Sequence, residues 1–430
     1  MGAMIVKDER GLMEVDGYPL TDLAREWGTP LYVYSKRQIE ADATRLKKAL
    51  GAHFDRFHIS YALKANSNPH IVKILKDLGL GADCSSPAEA LLAARMGFPT
   101  EKSIYTGNFE SPQDLKVPLK NRMTINLDDH ARAQNPFEDS PLPPVLSFRI
   151  NPGIGRGGFE GIITGGADAK FGIPYEKCGE AYAWAKSLGI DRFGIHMMTG
   201  SNILNPFYFA EITGKLLSII ETHLCPLGIE LEFINIGGGL GLPYSPEEKE
   251  LDVEEVFRLV ADVFHPKVER LSIGHPALAI EPGRYLVGRA GLLLSTVTHV
   301  KESYRTYMGL DSGMNTLLRP SLYGAYHPIH LDGKSQTNAV SPYWVCGQVC
   351  ENSDLHPKAR DLETPTPGDL AVMEYAGAYG FAMSSHYNGR PRPAEVLITE
   401  DGPELIRERE EDGDIFLRVP HFSLNAEGPK

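Results

Sequence analysis

The feature that most constrains the fold is a repeated alternation of short β-type runs with stretches of helical periodicity. Stretches such as 69–79, 87–97 and 253–264 carry apolar residues at helical spacing, so one face of each can pack against a sheet. Eight strands that alternate with helices are the number that closes a (β/α)8 barrel. The runs read as strands are FHISYALK (57–64), GADCS (81–85), SIYTG (103–107), MTINL (123–127), VLSFRIN (145–151), FGIHMMT (193–199), EFINIGG (232–238) and LAIEPG (278–283).

After about residue 285 the pattern changes to strands joined by turns, without intervening helices. This change predicts a C-terminal, mainly β domain. The opening residues also resemble a hairpin, and we expect them to pack with that domain. The predicted fold class is therefore α/β, with an N-terminal segment (1–30), a (β/α)8 barrel (31–285) and a β domain (286–430). One unit is irregular, because the proline-rich stretch 128–144 can hold at most a short helix.

Composition excludes several classes of function. A net charge of −13 over 430 residues argues against nucleic acid or anionic lipid as a main partner. No apolar run approaches the length of about 20 residues that a membrane span needs, and the N-terminus has no signal-peptide core. Five scattered cysteines do not suit a disulfide framework, and the spacing of Cys346 and Cys350 lacks the second pair of a zinc site. We therefore expect a cytoplasmic protein without a bound metal.

Lys64 stands where the first apolar run ends and an Asn-rich turn begins. A lone lysine at such a place often extends its amine to water. In a barrel of this kind, however, the carboxyl ends of the strands converge on one site. Lys64 is therefore also a candidate for chemistry in the barrel mouth.

Two glycine-containing segments follow the last two predicted strands, IGGGLG (236–241) and EPGR (281–284). Barrel enzymes often bind phosphate with the loops after these strands, where glycines let backbone N–H groups approach an anion. A tight turn without a ligand remains an alternative. A dinucleotide fingerprint does not fit, because prolines follow before a helix can begin. A second glycine-rich run, 152–166, lacks the ending of a P-loop and is read as a mobile loop over the barrel mouth.

These features together indicate a phosphorylated aldehyde cofactor. They are a phosphate site, a lysine at a strand end and a carboxylate, all expected at the mouth of the same barrel. Pyridoxal 5′-phosphate (PLP) binds lysine as a Schiff base and often needs an acid near its ring nitrogen. Glu281 could supply that acid, although a structural carboxylate paired with Arg284 would give the same pattern.

Longer motifs resemble those of the fold type III PLP-dependent decarboxylases, which share the alanine racemase-type barrel, and most closely the diaminopimelate decarboxylases. The resemblance extends from about residue 30 to residue 410, with the motifs in the family's order. The motifs are YALKAN, IGGGLG, EPGRY, RPSLYGAYH, CGQVCENSD and AGAYGFAMSSHYNGRPRPAEVL.

The resemblance implies a role for each matching residue. Lys64 would be the Schiff-base lysine, and Cys350 the proton donor that reaches the partner subunit's site in a homodimer. Without the motif, Cys350 would be read as a small buried apolar residue. The implied cofactor-binding residues are Lys64, Ser201, Gly238, Gly239, Glu281, Gly283, Arg284 and Tyr379. The implied substrate-binding residues are Arg284, Arg319, Tyr323, Glu351 and Tyr379.

One departure from the family pattern concerns the cofactor ring. Relatives carry a histidine stacked on the ring after the sixth strand, whereas alignment on Gly200 and Ser201 puts Met198 there. A thioether can also lie against an aromatic ring. His196, the nearby histidine, is read as a supporting strand residue rather than a ligand. The departure leaves the substrate range open.

The expected function is decarboxylation of meso-2,6-diaminopimelate to L-lysine and CO2, the last step of lysine biosynthesis. Two alternatives remain. One is a decarboxylase of another basic or diamino acid such as lysine, ornithine or arginine, which Met198 and Asn202 suggest. The other is a PLP-binding homologue without catalytic activity.

Overall fold

The chain divides into two compact units in the computed structural model, which describes residues 4–129, 135–138, 140–155, 165–334 and 340–420. Residues Glu40–Leu286 form one, called here the barrel unit. Met1–Ile39 and Val287–Lys430 together form the other, the β unit. None of the helices in the described ranges is long and apolar enough to cross a lipid bilayer.

The strands and helices are numbered in chain order. The strands are β1 (Ile5–Lys7), β2 (Met13–Val15), β3 (Tyr18–Pro19), β4 (Leu31–Ser35), β5 (Phe57–Ala62), β6 (Gly81–Cys84), β7 (Ile104–Tyr105), β8 (Thr124–Leu127), β9 (Leu146–Phe148), β10 (Ile150–Asn151), β11 (Ile173–Pro174), β12 (Phe193–His196), β13 (Leu231–Asn235), β14 (Ala277–Ile280), β15 (Gly291–Glu302), β16 (Thr306–Leu310), β17 (Ile329–Leu331), β18 (Val340–Cys346), β19 (Arg360–Glu363), β20 (Leu370–Met373), β21 (Ala394–Thr399) and β22 (Gly402–Arg407). The helices are α1 (Leu20–Trp27), α2 (Lys36–Gly51), α3 (Pro69–Asp77), α4 (Pro87–Met96), α5 (Pro112–Lys120), α6 (Cys178–Ser187), α7 (Pro206–His223), α8 (Val253–Leu271), α9 (Arg284–Val287) and α10 (Arg319–Tyr323).

The barrel unit contains a closed barrel of eight parallel strands. They pair in chain order as β5-β6-β7-β8-β9-β12-β13-β14, and β14 pairs with β5 to close the ring. Each of the eight runs identified in the sequence overlaps one of these strands. The prediction of a (β/α)8 barrel with a separate mainly β region is therefore confirmed.

Local sequence signals begin and end the helices between these strands. The Ser86 side chain accepts a hydrogen bond from the Glu89 N–H and caps α4, and Pro87 occupies the first turn, where a missing N–H costs nothing. Gly97 ends the same helix in the left-handed conformation. Asn68 caps α3 in the same way, so that this helix begins just after Lys64 and its turn.

The fifth predicted strand run, 145–151, is interrupted in the structure. Its first part forms β9 in the barrel, but its second part forms β10, which leaves the barrel to pair with β11. Arg149, between the two, makes a single bridge to His196. The proline-rich stretch 128–144 and the glycine-rich stretch 152–166 lie partly outside the described residues; in its described part, 128–144 contains no helix.

The β unit is built on nine described strands in one sheet. Its main path runs β19-β18-β16-β15-β4-β21-β22, so β4, from the N-terminal segment, lies between β15 and β21. The hairpin strands β1 and β2 pair in antiparallel register, with Ile5 opposite Val15. One apolar core joins these segments. Its buried members include Met13, Val15, Leu20, Leu23, Leu31, Val33, Leu292, Leu294, Leu370, Val372, Ala394, Val396 and Ile398.

Candidate active site

The Lys64 amine lies beside a buried acid at the mouth of the barrel. Lys64 sits in a single 3-10 turn directly after β5, and its side chain keeps 47% of its surface exposed. Its Nζ donates hydrogen bonds to Oδ2 of Asp83 at 2.8 Å and to Oγ of Ser85 at 3.3 Å. Asp83 is brought there because β6 pairs with β5 in a register that puts it opposite Ala62. The ion pair with Asp83 thus holds the Lys64 amine in place, while the exposed part of the side chain remains accessible to a ligand.

Asp83 is fully buried, and its second oxygen, Oδ1, has no hydrogen-bond partner among the described residues. Burial raises the pKa of Asp83 to about 7, although the Lys64 ammonium acts to lower it. At neutral pH this carboxyl can therefore exchange a proton with its surroundings. Lys64 must be deprotonated to attack a carbonyl, and Asp83 is placed to accept that proton.

Glu281 is held as an anion inside the same end of the barrel. Its Oε1 accepts a hydrogen bond from Asn235 Nδ2 at 2.8 Å, and its Oε2 pairs with His196 Nε2 at 3.1 Å. Burial alone would raise the pKa of Glu281, but His196, Lys64 and Asn235 lower it to about 2 through charge and hydrogen bonds. The structure therefore favours an ionised carboxylate, and its two donors are His196 and Asn235.

The glycine loop after β13 approaches two other backbone segments too closely for side chains. A Cβ on Gly238 would lie 2.4 Å from the Glu281 carbonyl oxygen. A Cβ on Gly239, where φ is +91°, would lie 2.7 Å from the Gly200 carbonyl oxygen. The N–H of Gly237 is already taken up by Asn235 Oδ1 at 2.8 Å. This loop, called here the glycine cradle, accepts only glycine, because any Cβ would clash with the backbone of the neighbouring segments.

Arg284 and Ser201 bring further donors to the same place. Arg284, which follows Gly283 and opens α9, is buried and donates from Nη1 to Tyr244 Oη at 2.7 Å and from Nη2 to Ser201 Oγ at 3.3 Å. The loop that carries Ser201 runs beside the glycine loop, because the Ile203 N–H donates to the Gly239 carbonyl oxygen at 2.8 Å. A cation, a hydroxyl group and a glycine turn converge here, which suits a phosphate group.

Met198 lies at this glycine loop. Its Sδ accepts a hydrogen bond from the N–H of Gly238 at 3.2 Å, and the side chain is only partly buried. The neighbouring Met197 is fully buried. The thioether of Met198, which the resemblance aligns with a histidine, is therefore positioned by the loop itself.

The cradle gives a direct prediction about cofactor affinity. Gly239→Ala should weaken PLP binding by about 10-fold or more, because the methyl group meets the Gly200 carbonyl and alanine is strained at positive φ. Dissociation constants from titration of the apoenzyme with PLP would measure this. Gly189→Ala is the matched control, since Gly189 has φ +87° and no atom within 4 Å of its Cβ position. Equal affinities for Gly239→Ala and Gly189→Ala would contradict the cradle.

The β unit holds a buried arginine in a fixed orientation. Arg319 begins α10 and donates from Nη1 to His327 Nε2 at 2.8 Å. The other ring nitrogen of His327, Nδ1, therefore carries the proton and donates to the Glu374 carbonyl oxygen at 2.8 Å. Tyr323 lies four residues after Arg319 on the same helix and is partly exposed. This unit thus offers an oriented cation and a phenol one turn apart.

Cys350 and Glu351 are exposed on the β unit. The Cys350 N–H donates to Asn388 Oδ1 at 2.7 Å, which fixes the backbone, and the thiol is exposed. Glu351 accepts a hydrogen bond from Tyr387 Oη at 3.3 Å. Tyr379 adopts a left-handed backbone with φ +58°, a strained conformation that is concentrated at functional sites.

Sequence reasoning did not identify the partners that orient these groups. Asp83 had a signal, an acid at the end of a β-type run, but the run was read only as a strand. Asn126, Asn235 and Tyr244 are ordinary polar residues outside the recognised motifs, whereas His327 ends the motif RPSLYGAYH but was given no role. The missed partners are Asp83, Asn126, Asn235, Tyr244 and His327.

The groups of the barrel unit fit PLP. Lys64 offers the amine for its aldehyde, Glu281 an ionised oxygen for its ring nitrogen, and the Gly239 turn with Arg284 a cradle for its phosphate. The second oxygen of Asp83, buried without a partner, also leaves an acceptor for a further donor near Lys64. Fold and site together define a PLP-dependent enzyme on a (β/α)8 barrel.

Comparison with known families narrows this class. Residues 36–288 match the family described as "Pyridoxal-dependent decarboxylase, pyridoxal binding domain", and the chain belongs to this family. The expectation of a decarboxylase that uses PLP is thereby confirmed.

Similar proteins extend over nearly the whole chain. The diaminopimelate decarboxylase of Methanothermobacter thermautotrophicus is 40% identical over 409 residues, covering 95% of this chain and 96% of the relative. The structure of diaminopimelate decarboxylase from M. jannaschii in co-complex with L-lysine has a TM-score of 0.86 at 31% identity and covers 97% of both chains. The enzyme from Helicobacter pylori complexed with L-lysine has a TM-score of 0.83 at 31% identity, covering 93% of this chain and 98% of that one.

Proposed function

We propose that this protein converts meso-2,6-diaminopimelate to L-lysine and CO2, as a cytoplasmic enzyme of lysine biosynthesis. The observation that carries the proposal is the similarity to diaminopimelate decarboxylases over 95% of the chain at 40% identity. Both of the solved structures named above hold L-lysine, which would be the product of this reaction. The exposed thiol of Cys350 would persist in a reducing compartment, which supports the cytoplasm.

The residues of the barrel unit suit loss of CO2 from an α-amino acid. Bound PLP supplies the electron sink for the carbanion left at Cα. Lys64 would anchor the cofactor, and Glu281 would keep a proton on its ring nitrogen because the carboxylate remains ionised. Arg284, Ser201 and the glycine cradle would hold the phosphate.

The β unit carries the groups that would distinguish this substrate. Diaminopimelate has a second amino-acid end with its own carboxylate, and a guanidinium binds a carboxylate through two parallel hydrogen bonds. Arg319 is buried and oriented by His327, so little side-chain entropy is lost when it binds an anion. Tyr323 and Tyr379 add hydroxyl groups, and Arg284 would contribute a second cation.

We also propose a homodimer in which each subunit completes the other's site. Cys350 and Glu351 are exposed on the chain, as residues that serve a second subunit must be. Cys350 would return a proton to Cα, since a thiol S–H can donate one, and Glu351 would contact the substrate. Lys64 and Cys350 would then act in one site from two different chains.

A substrate panel tests the assignment. The holoenzyme should release CO2 from meso-diaminopimelate with a kcat/KM at least about 100-fold above that for L-lysine, L-ornithine or L-arginine. The reason is that these competitors have no distal carboxylate for the Arg319 guanidinium to bind. Manometric or coupled assays of CO2 release with added PLP would measure the ratios. Faster turnover of any competitor would contradict the proposal. It would instead support the alternative, a decarboxylase of the same fold that acts on another amino acid.

Two arginine variants show whether Arg319 causes the preference. Arg319→Met should lower kcat/KM for diaminopimelate by about 10- to 100-fold, the value of hydrogen bonds to a charged group. The absorbance of the bound cofactor should not change, because Arg319 is assigned to the substrate. Arg305→Met is the control on the same unit, where Arg305 lies exposed over the Trp344 ring. If both variants lost the preference for diaminopimelate over the competing amino acids, Arg319 would not be the residue that selects the substrate.

A further inference from the structure

His196 is the last residue of β12, and its side chain is buried inside the barrel with 1% of its surface exposed. In the barrel register it lies opposite Asn235 of β13, which is also a donor to Glu281. His196 therefore does not face solvent. Its two ring nitrogens point to two different polar partners inside the barrel.

The hydrogen bonds around His196 have a direction. Asn126 Nδ2, a donor, lies 3.1 Å from Nδ1 of His196 and 3.3 Å from Oγ1 of Thr106. The Glu281 carboxylate only accepts hydrogen bonds, so Nε2 of His196 carries the proton between the two groups. That proton is directed at Oε2 of Glu281, 3.1 Å away. A relay from Asn126 through His196 thus ends on the carboxylate.

The relay affects what Glu281 can do. A carboxylate has about four lone-pair positions, and His196 and Asn235 use two of them, one on each oxygen. The carboxylate is then fixed in orientation but retains its charge and its capacity to accept another proton donor.

We propose that His196 is a positioning residue, held by Asn126, whose Nε2–H orients Glu281 to keep the ring nitrogen of PLP protonated. The inference rests on the pyridoxal chemistry of the family and not on which amino acid is the substrate. It gives a role in positioning Glu281 to Asn126 on β8 and to Thr106 directly after β7, neither of which belongs to a recognised motif.

The test uses three variants of the holoenzyme reconstituted with PLP labelled with nitrogen-15 in the ring. His196→Leu removes the donor, and His196→Gln keeps an N–H group near the position of Nε2. Ile195→Val is the control, because Ile195 is the buried neighbour on the same strand. The nitrogen chemical shift without substrate reports the protonation of the ring, and kcat and KM are measured separately.

In His196→Leu the nitrogen shift should move toward that of an unprotonated pyridine, and kcat should fall roughly 10- to 100-fold with KM nearly unchanged. His196→Gln should restore the shift and most of kcat, and Ile195→Val should match the wild type in both. If His196→Leu keeps the wild-type shift, the proposal is wrong. If His196→Leu does not fold, His196→Gln provides the test. The glutamine retains an N–H donor, so an unprotonated PLP ring nitrogen in this variant would also contradict the proposal. The shift needs no substrate, so its outcome is independent of the proposed function.

Discussion

Replacing Lys64 by alanine is expected to abolish covalent attachment of PLP and to lower decarboxylation on the order of 10³-fold or more, as removal of a covalent catalyst does. Lys64 is the amine at the end of the first barrel strand, partly exposed and paired with Asp83. The absorbance of the bound cofactor would report the loss directly. In the wild type, borohydride reduction followed by peptide mapping should place the pyridoxyl label on Lys64.

The matched control is Lys73→Ala, on the helix that follows. Lys73 is exposed and paired with Asp77, one turn away on the surface of α3, so its loss should leave the cofactor spectrum and turnover unchanged. A label on any lysine other than Lys64, or full activity of Lys64→Ala, would remove the basis of the assigned site. Cofactor bound without turnover of any diamino acid would instead support the reading of a silent homologue.

The barrel could be predicted because its signals are local. Parallel strands covered on both faces are short continuous apolar runs, and the helices between them have a clear 3.6-residue period. Both patterns are visible in stretches such as 57–64 and 69–79. The interruption at Arg149 was not visible, because β10 and β9 differ in their pairing partners and not in their composition.

The candidate site could be predicted only in part, and the reason is physical. Lys64, Glu281 and the glycine loop have recognisable contexts along the chain, whereas their partners are set by register across the barrel. Asp83 reaches Lys64 because it lies opposite Ala62 in the pairing of β5 with β6. Such a contact depends on tertiary pairing, which a single sequence does not report.

The relay onto Glu281 illustrates the same limit. Asn126, His196 and Asn235 come from three different strands, Thr106 directly follows a fourth, and none of the four has a local signal of function. His196 was read as a supporting strand residue, and the structure shows what it supports, the carboxylate of Glu281. The pyridoxal motif could be read from the sequence, but the groups that tune it could not.

Mixing two inactive variants should restore activity if each site is built from two subunits. Cys350→Ala alone should lose about 10²- to 10⁴-fold in kcat, the usual contribution of a proton donor, and Lys64→Ala should be nearly inactive. After random exchange, half of the dimers are hybrids, and each hybrid has one site with both native residues. The mixture should therefore recover about a quarter of the wild-type activity, measured as CO2 release from diaminopimelate.

A second mixture makes this result specific to the shared site. Lys64→Ala mixed with Glu281→Gln should stay inactive, because both residues belong to the barrel unit and every hybrid site keeps one defect. Subunit exchange is verified by native mass spectrometry of differently tagged chains. If exchange occurs and the Lys64→Ala and Cys350→Ala mixture remains inactive, either the homodimeric site or the role of Cys350 as proton donor is wrong. Recovery in that mixture alone would mean that the cysteine acts on the cofactor of the other chain.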